Sequence, residues 1–160
     1  MWTLMDSPVG ELRIVGREDC VEAIEFTPFG PPKDGRPLGV RDDDHPVLVE
    51  AVRQLRAYFA RGLKEFDLPL APRGTDFQQR VWKQLLEVGY GETASYGEIA
   101  TRLGHTHAAS RAVGTANGRN PIPIVIPCHR VIGANGSLTG YAGGMERKQI
   151  LLQLEQDSLF

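Results

Sequence analysis

Cys128 is the residue best suited by type to covalent chemistry, and its neighbours decide whether it can act. A free thiol has a pKa of about 8.5, so only a few per cent is thiolate at neutral pH. A nucleophilic cysteine therefore needs a base or a positive environment. Pro127-Cys128-His129-Arg130 places one of each next to the sulfur. In an extended segment, adjacent side chains point to opposite faces, and the imidazole would then reach the sulfur through a water. An isolated Cys-His pair is more often a buried structural thiol, so the surrounding elements carry the argument.

Residues 120–132 contain two isoleucine-valine stretches broken by Pro121, Pro123 and Pro127. Those prolines forbid a helix interior and predict an extended, edge-like path through Cys128. Upstream, Ser95-Tyr96-Gly97-Glu98 has capping-box form and opens a short helix through Ile99, Ala100 and Leu103, stopped by Gly104. A second helix is expected from about Ala108 to Ala116. Two short helices joined by a tight, glycine-containing turn are the sequence form of a helix-turn-helix. The second helix is nearly bare: Ala108, Ala109, Ala112, Gly114 and Ala116 leave Arg111 as its only long polar side chain. Major-groove reading needs several such side chains, so this composition suits close approach to phosphates and a narrow groove. Tight core packing explains the alanines equally well. It does not explain Arg111, a large cation that needs water or a partner and has the reach to fill a vacated base stack. Thr75-Asp76-Phe77-Gln78 is another capping box, opening a helix through Phe77, Val81, Leu85 and Val88, and a last helix covers Met145 to about Glu155.

The first stretch reads differently. Trp2–Met5, Leu12–Val15 and Val21–Phe26 are short, partly alternating strands with turn residues between them. Residues 27–46, rich in Pro, Gly and Asp, form a loop, and a helix begins near Pro46 with apolar Leu48, Val52, Leu55 and Phe59. Leu68-Pro69-Leu70-Ala71-Pro72 is an extended connector. The expected chain is α/β in two parts. Residues 1–72 make a small antiparallel sheet with a helix; residues 73–160 make a mostly helical domain that binds DNA and carries the chemistry.

Charge follows the same division. Residues 1–72 hold 9 Lys/Arg against 13 Asp/Glu, and residues 73–160 hold 9 against 7. Within 99–148 six cations face one acid, Glu146, a local excess of +5 in a chain of net charge −2. A local positive field draws phosphate backbones even when the total is negative, although a solvated face with chance clustering reads about as well. With 160 residues, 41% hydrophobic and 24% charged, the chain is neither collagen, coiled coil nor disordered. Two cysteines make no disulfide framework. Cys20 reads as a strand core residue, and His45, His105 and His107 make no credible metal set, so neither metal nor cofactor is expected. No signal peptide or membrane span is read, which points to a reducing cytoplasm.

Asn120-Pro121-Ile122-Pro123-Ile124-Val125-Ile126-Pro127-Cys128-His129-Arg130-Val131-Ile132 closely resembles the active-site signature of the O6-alkylguanine-DNA alkyltransferases. The likeness extends through Ser95–Ala100, Ser110–Gly114, Asn117–Pro121, Tyr141–Gly144 and Leu151–Glu155, most of residues 74–156, and only loosely to the first 70. It implies flipping of an alkylated guanine out of double-stranded DNA and irreversible, once-only transfer of the O6-alkyl group to a cysteine. It leaves O4 of thymine open as a second position from which an alkyl group is taken. Extrusion suits the chemistry, because a stacked base is unreachable. By that resemblance Cys128 is the alkyl acceptor and His129 the base acting through water. Glu155 orients that histidine, and Asn120 holds the active-site turn. Tyr96 contacts the flipped base and helps rotate the phosphate. Val131 and Ala142 meet the base through backbone groups, and Tyr141 walls the pocket. Arg111 fills the stack from a helix whose Ala109, Ser110, Ala112 and Gly114 lie against DNA. A monomer is expected, with alignment of several copies along one duplex left open.

Glu155 has support of its own. It follows Leu151 by four residues and Leu152 by three, beside an apolar face, and a carboxylate near a helix C-terminus is disfavoured unless a cation compensates. A solvent-facing terminal Glu is the plainer alternative. Two departures from the family pattern stand out: the turn at 104–108 is about one residue longer, and Ser110 replaces an alanine. Two other functions compete. A lesion-binding module would share the helix pair but gain no alkyl group. A Cys-His-Glu hydrolase would turn over repeatedly, and no nucleophile elbow accompanies Cys128.

Overall fold

The computed structural model describes residues 1–32, 35–136, 141 and 143–157. The chain divides into two compact units, Met1–Pro72 and Arg73–Phe160.

The first unit is a three-stranded antiparallel sheet, β1 (Trp2–Met5), β2 (Leu12–Arg17) and β3 (Cys20–Phe26), in the order β1-β2-β3. Register is fixed by pairs such as Thr3↔Ile14 and Ile14↔Ile24, with a bulge between Val15 and Gly16. Leu12 and Ile14 are buried by alternation, and Val21 and Ile24, three residues apart on either side of the bulge, are buried as well. Helix α1 (Pro46–Phe59) starts where its sequence requires: Pro46 sits in the first turn, and the His45 side chain accepts Val47 N–H. Its buried face of Leu48, Ala51, Leu55 and Tyr58 completes this core, each large side chain worth roughly 1.5–3 kcal/mol on burial. Cys20 is not a core residue but a half-buried one opening β3, where it pairs with Arg17 at the end of the ladder.

The second unit is mostly helical: α2 (Asp76–Leu85), α3 (Tyr96–Arg102), α4 (Ser110–Gly118) and α5 (Met145–Asp157). Both capping boxes form. Thr75 and Gln78 exchange hydrogen bonds at the start of α2, and Ser95 and Glu98 do so at α3. The turn between α3 and α4 holds a single 3-10 turn, His107–Ala109, so α4 proper begins two residues later than its alanine run suggests. The His107 ring lies against Gly97, where an added Cβ would fall 2.3 Å from Nδ1. The helices are locked by Trp82, whose Nε1 donates to Ala116 O at 2.9 Å within the core.

The path through Cys128 differs from expectation. Residues 120–130 are not extended; they form a series of turns ending in a 3-10 turn at Cys128–Arg130. Ile126 N–H donates to Ile122 O, and Ile124 adopts φ 76°, a strained value for a β-branched residue. The prolines exclude a helix interior, as expected, but they permit turns, and buried side-chain caps supply the missing bonds. Only Val131–Ile132 is strand. It forms β5, paired in parallel with β4 (Ala94–Ser95), which leads straight into α3.

Candidate functional site

Cys128, His129 and Arg130 are three consecutive buried residues, 4%, 0% and 6% exposed. A 3-10 turn separates successive side chains by about 120° rather than reversing them. The opposite-face geometry of an extended strand therefore does not apply. The turn is held by asparagines. Asn120 Nδ2 donates to Ile126 O at 2.8 Å, its Oδ1 accepts Ile122 N–H at 3.0 Å, and Asn117 Nδ2 donates to Cys128 O at 3.3 Å.

Helix α5 brings the carboxylate. Glu155 is 1% exposed. Its Oε2 lies 2.6 Å from His129 Nε2, and its two oxygens accept from Arg130 Nε at 2.8 Å and the second guanidinium nitrogen at 3.1 Å. Gly91 N–H donates to Oε1 at 3.3 Å. Arg130 also donates to Val88 O at 2.7 Å. Burial works against the charged form of Glu155, but the hydrogen bonds of His129 and Arg130 and the Arg130 charge outweigh it and hold the carboxyl low, at about 2. Burial also keeps His129 below its ordinary value, so the imidazole is neutral. An ionised carboxylate can only accept, so the single ring proton belongs on Nε2. The lone pair is then on Nδ1, which meets no hydrogen-bond partner among the described residues. The site thus holds a neutral base whose protonated form is already compensated.

Burial pushes the Cys128 thiol up to about 11, opposed by the Asn120 side chain and by the charge of Lys148. The resting sulfur is a thiol. A thiol so buried reacts as a nucleophile only if its proton is taken locally.

Lys148, on α5, has no exposed surface. Its Nζ donates to Val131 O at 2.5 Å and lies 6.0 Å from the centre of the Tyr96 ring. The short β4–β5 pairing sets Ser95, next to Tyr96, opposite Ile132, next to Val131. Tyr141 is 8% exposed, and burial first, then the nearby Cys128 sulfur, raise its phenol well above the ordinary range. The structure therefore gathers Cys128, His129, Glu155, Asn120, Val131, Tyr141 and Tyr96 around one centre. Arg111 and Ala112 are exposed on α4, with Ala109 and Ser110 half-buried at the helix start. Gly114 faces Tyr96, where a Cβ would make ordinary contact at 3.7 Å. Ala142 lies outside the described residues.

Two residues of the centre carried no assigned role in the sequence, Lys148 and Asn117, and Arg130, read there as a positive environment for the sulfur, is bound to Glu155 and to Val88 O. Lys148, Leu151 and Glu155 share one face of α5 at helical spacing, a signal that was available. Among the described residues no helix is long and apolar enough to cross a membrane, and no group of His, Cys, Asp and Glu is placed to hold a metal.

Fold and site together define a class: a small antiparallel sheet followed by a helical unit in which a buried cysteine precedes a histidine bound to a buried glutamate. Residues 76–157 match the 6-O-methylguanine DNA methyltransferase, DNA binding domain, and residues 1–72 match the ribonuclease-like domain of the same enzymes. The chain belongs to the 6-O-methylguanine DNA methyltransferase family. It is 49% identical over 157 residues to a methylated-DNA--protein-cysteine methyltransferase of Methanosarcina acetivorans, covering 96% of this chain and 97% of that protein. The protein of that name from Mycobacterium tuberculosis H37Rv is 52% identical over 153 residues, 95% and 90% of the two chains. A crystal structure of the M. tuberculosis O6-methylguanine methyltransferase superposes with TM-score 0.84 at 48% identity, covering 98% of this chain and 93% of that one. A second structure from that organism, solved in complex with DNA, gives 0.86 at 49% identity, with the same coverage.

Proposed function

We propose that this chain repairs DNA by direct reversal, moving the alkyl group from O6 of a flipped-out guanine to Cys128 once per molecule. The observation that carries this reading is the buried His129, whose Nε2 lies 2.6 Å from Glu155 Oε2 and whose Nδ1 meets no partner among the described residues, in the turn that begins with the buried Cys128 thiol.

The steps balance. The Cys128 S–H proton passes to His129 Nδ1, through a water, and the imidazolium is stabilised by Glu155. The sulfur attacks the alkyl carbon, an S–C bond forms, and the C–O6 bond breaks with its electron pair going to the purine. The purine anion then takes the proton and leaves as guanine. The thioether has no route back, so one molecule accepts one group. A preorganised base of this kind contributes about 10²–10⁴-fold.

In this reading Asn120 fixes the turn, and Tyr96, Val131, Tyr141 and Ala142 form the pocket for the base. Arg111 enters the space the base leaves, from a helix whose Ala109, Ser110, Ala112 and Gly114 allow close approach to the duplex. Residues 1–72 act as a separate accompanying domain and 73–160 as the DNA-binding and catalytic one. The working form is a monomer on double-stranded DNA in the reducing cytoplasm, where the thiol stays free.

The test is a titration against duplex carrying one O6-methylguanine, followed by digestion and mass measurement. The peptide bearing Cys128 gains the mass of one methyl group, and the yield stops at one group per protein. Binding without mass gain would reduce the protein to a lesion binder, and repeated turnover would make it a hydrolase.

A further inference from the structure

Two buried asparagines near the end of α4 grip the segment that holds the sulfur, and they are not equally satisfied. Asn120 is bonded at both ends of its amide. Asn117, 1% exposed, donates from Nδ2 to Cys128 O at 3.3 Å, but its Oδ1 meets no donor among the described residues. A buried acceptor left unmatched keeps its full desolvation penalty. Val113 and Ala116, its buried neighbours on α4, are apolar. Packing alone would be served better by a leucine, so the half-matched amide needs another reason.

The geometry points to Asn117 as a positioning residue for the transfer, holding the main chain of Cys128 to α4 so that the sulfur keeps its line of attack. This rests on the reading of Cys128 as alkyl acceptor. Cys128 lies in a single 3-10 turn, in which its N–H donates to Ile126 O at 2.7 Å and its carbonyl accepts Val131 N–H. Those bonds are local and would move with the turn. Asn117 and Asn120 reach the same segment from the end of a helix. They hold Ile126 O and Cys128 O, one on each side of Pro127. Two anchors, rather than one, fix the direction of the Cys128 Cα–Cβ bond. Asn117 also shares α4 with Arg111, so the helix proposed to lie on DNA is the helix that holds the sulfur.

The experiment compares Asn117→Leu and Asn117→Ala with the parent chain on duplex carrying one O6-methylguanine. Asn117→Leu fills the space and removes the unmatched acceptor, so its thermal midpoint stays level or rises. Asn117→Ala leaves a cavity, so its midpoint falls. Both slow methyl transfer at saturating protein on the order of ten-fold, since small displacements from the attack geometry are costly. The protein concentration giving half the maximal rate does not change, because Asn117 touches no substrate. Parental rates in both variants, or a rate that follows the midpoint and is lost only in Asn117→Ala, would overturn the assignment alone. A parent chain that takes up no methyl group would overturn the transfer reading and this one with it.

Discussion

Each unit of the molecule contains an arginine–glutamate clamp, and the two are built alike. In the first, Arg13 Nε binds Glu25 Oε1 at 2.7 Å, the guanidinium donates to Gly30 O at 2.8 Å, and it lies 5.0 Å from the centre of the Phe29 ring. In the second, Arg130 Nε binds Glu155 Oε1 at 2.8 Å, donates to Val88 O at 2.7 Å, and lies 5.8 Å from the Tyr90 ring. The difference is in the carboxylate. The Glu25 side chain is 27% exposed and that of Glu155 is 1% exposed. Glu155 also gives one oxygen to a histidine. The same clamp fastens a loop where water reaches it and holds the carboxylate partner of a histidine where water does not. Desolvation makes the second arrangement costly unless it is fully paired, and full pairing makes it useful.

The two clamps differ most at Glu155. Glu155→Gln leaves Arg130 charged and buried with no counter-charge and leaves the imidazolium uncompensated. Transfer should fall at least about 100-fold in single-turnover assays, and stability by about 3–5 kcal/mol in urea unfolding. A stability loss with transfer otherwise intact would make Glu155 only a sealed version of Glu25.

Acid offers a second, intermediate separation. Folding depresses the histidine, so below its ordinary value of 6.5 the unfolded chain takes up a proton that the folded one refuses, and stability falls as pH drops. Folding depresses Glu155 from 4.5 to about 2, so its contribution is complete above 4.5 and drains away as pH falls towards 2. Urea midpoints measured from pH 7 downward should decline in both windows. In Glu155→Gln the lower window should flatten, whereas altering Arg13 should leave both windows in place.

The smallest effect belongs to the first clamp. Arg13→Met should cost about 1.5–3 kcal/mol, the scale of a hydrogen bond to a charged group, and no more, because Glu25 can turn to water. Transfer at saturating protein should stay within about two-fold of the parent, a scale far below loss of a general base. A larger loss of rate would show that the first unit's clamp also supports the chemistry.

Much of the helical frame was legible because its signals are local. The capping boxes at Thr75 and Ser95 each span four residues, and the structure contains both. The turn at Cys128 was not legible, because proline says only what a segment cannot be. Asn117 and Asn120, brought in from α4 and its end, decide what it becomes. The β4–β5 pairing was hidden for a related reason: two residues at 94–95 find partners at 131–132, a contact with no periodicity to announce it. Arg130 and Lys148 read as part of a basic surface, since charge counts do not distinguish a solvated cation from a buried one.

The residue types and their order determined the chemistry available: one thiol, an adjacent imidazole, a carboxylate near the end of the last helix, and the motif that places the chain in its family. Only the tertiary structure decided the state in which those groups wait. Protonation depends on what surrounds a group once water is gone, and the walls around Cys128, His129 and Glu155 are assembled from segments as distant as residues 88–96, 117–132 and 141–155. That assembly makes the sulfur a thiol, the imidazole neutral and the carboxylate ionised, and no local stretch of chain contains the reason.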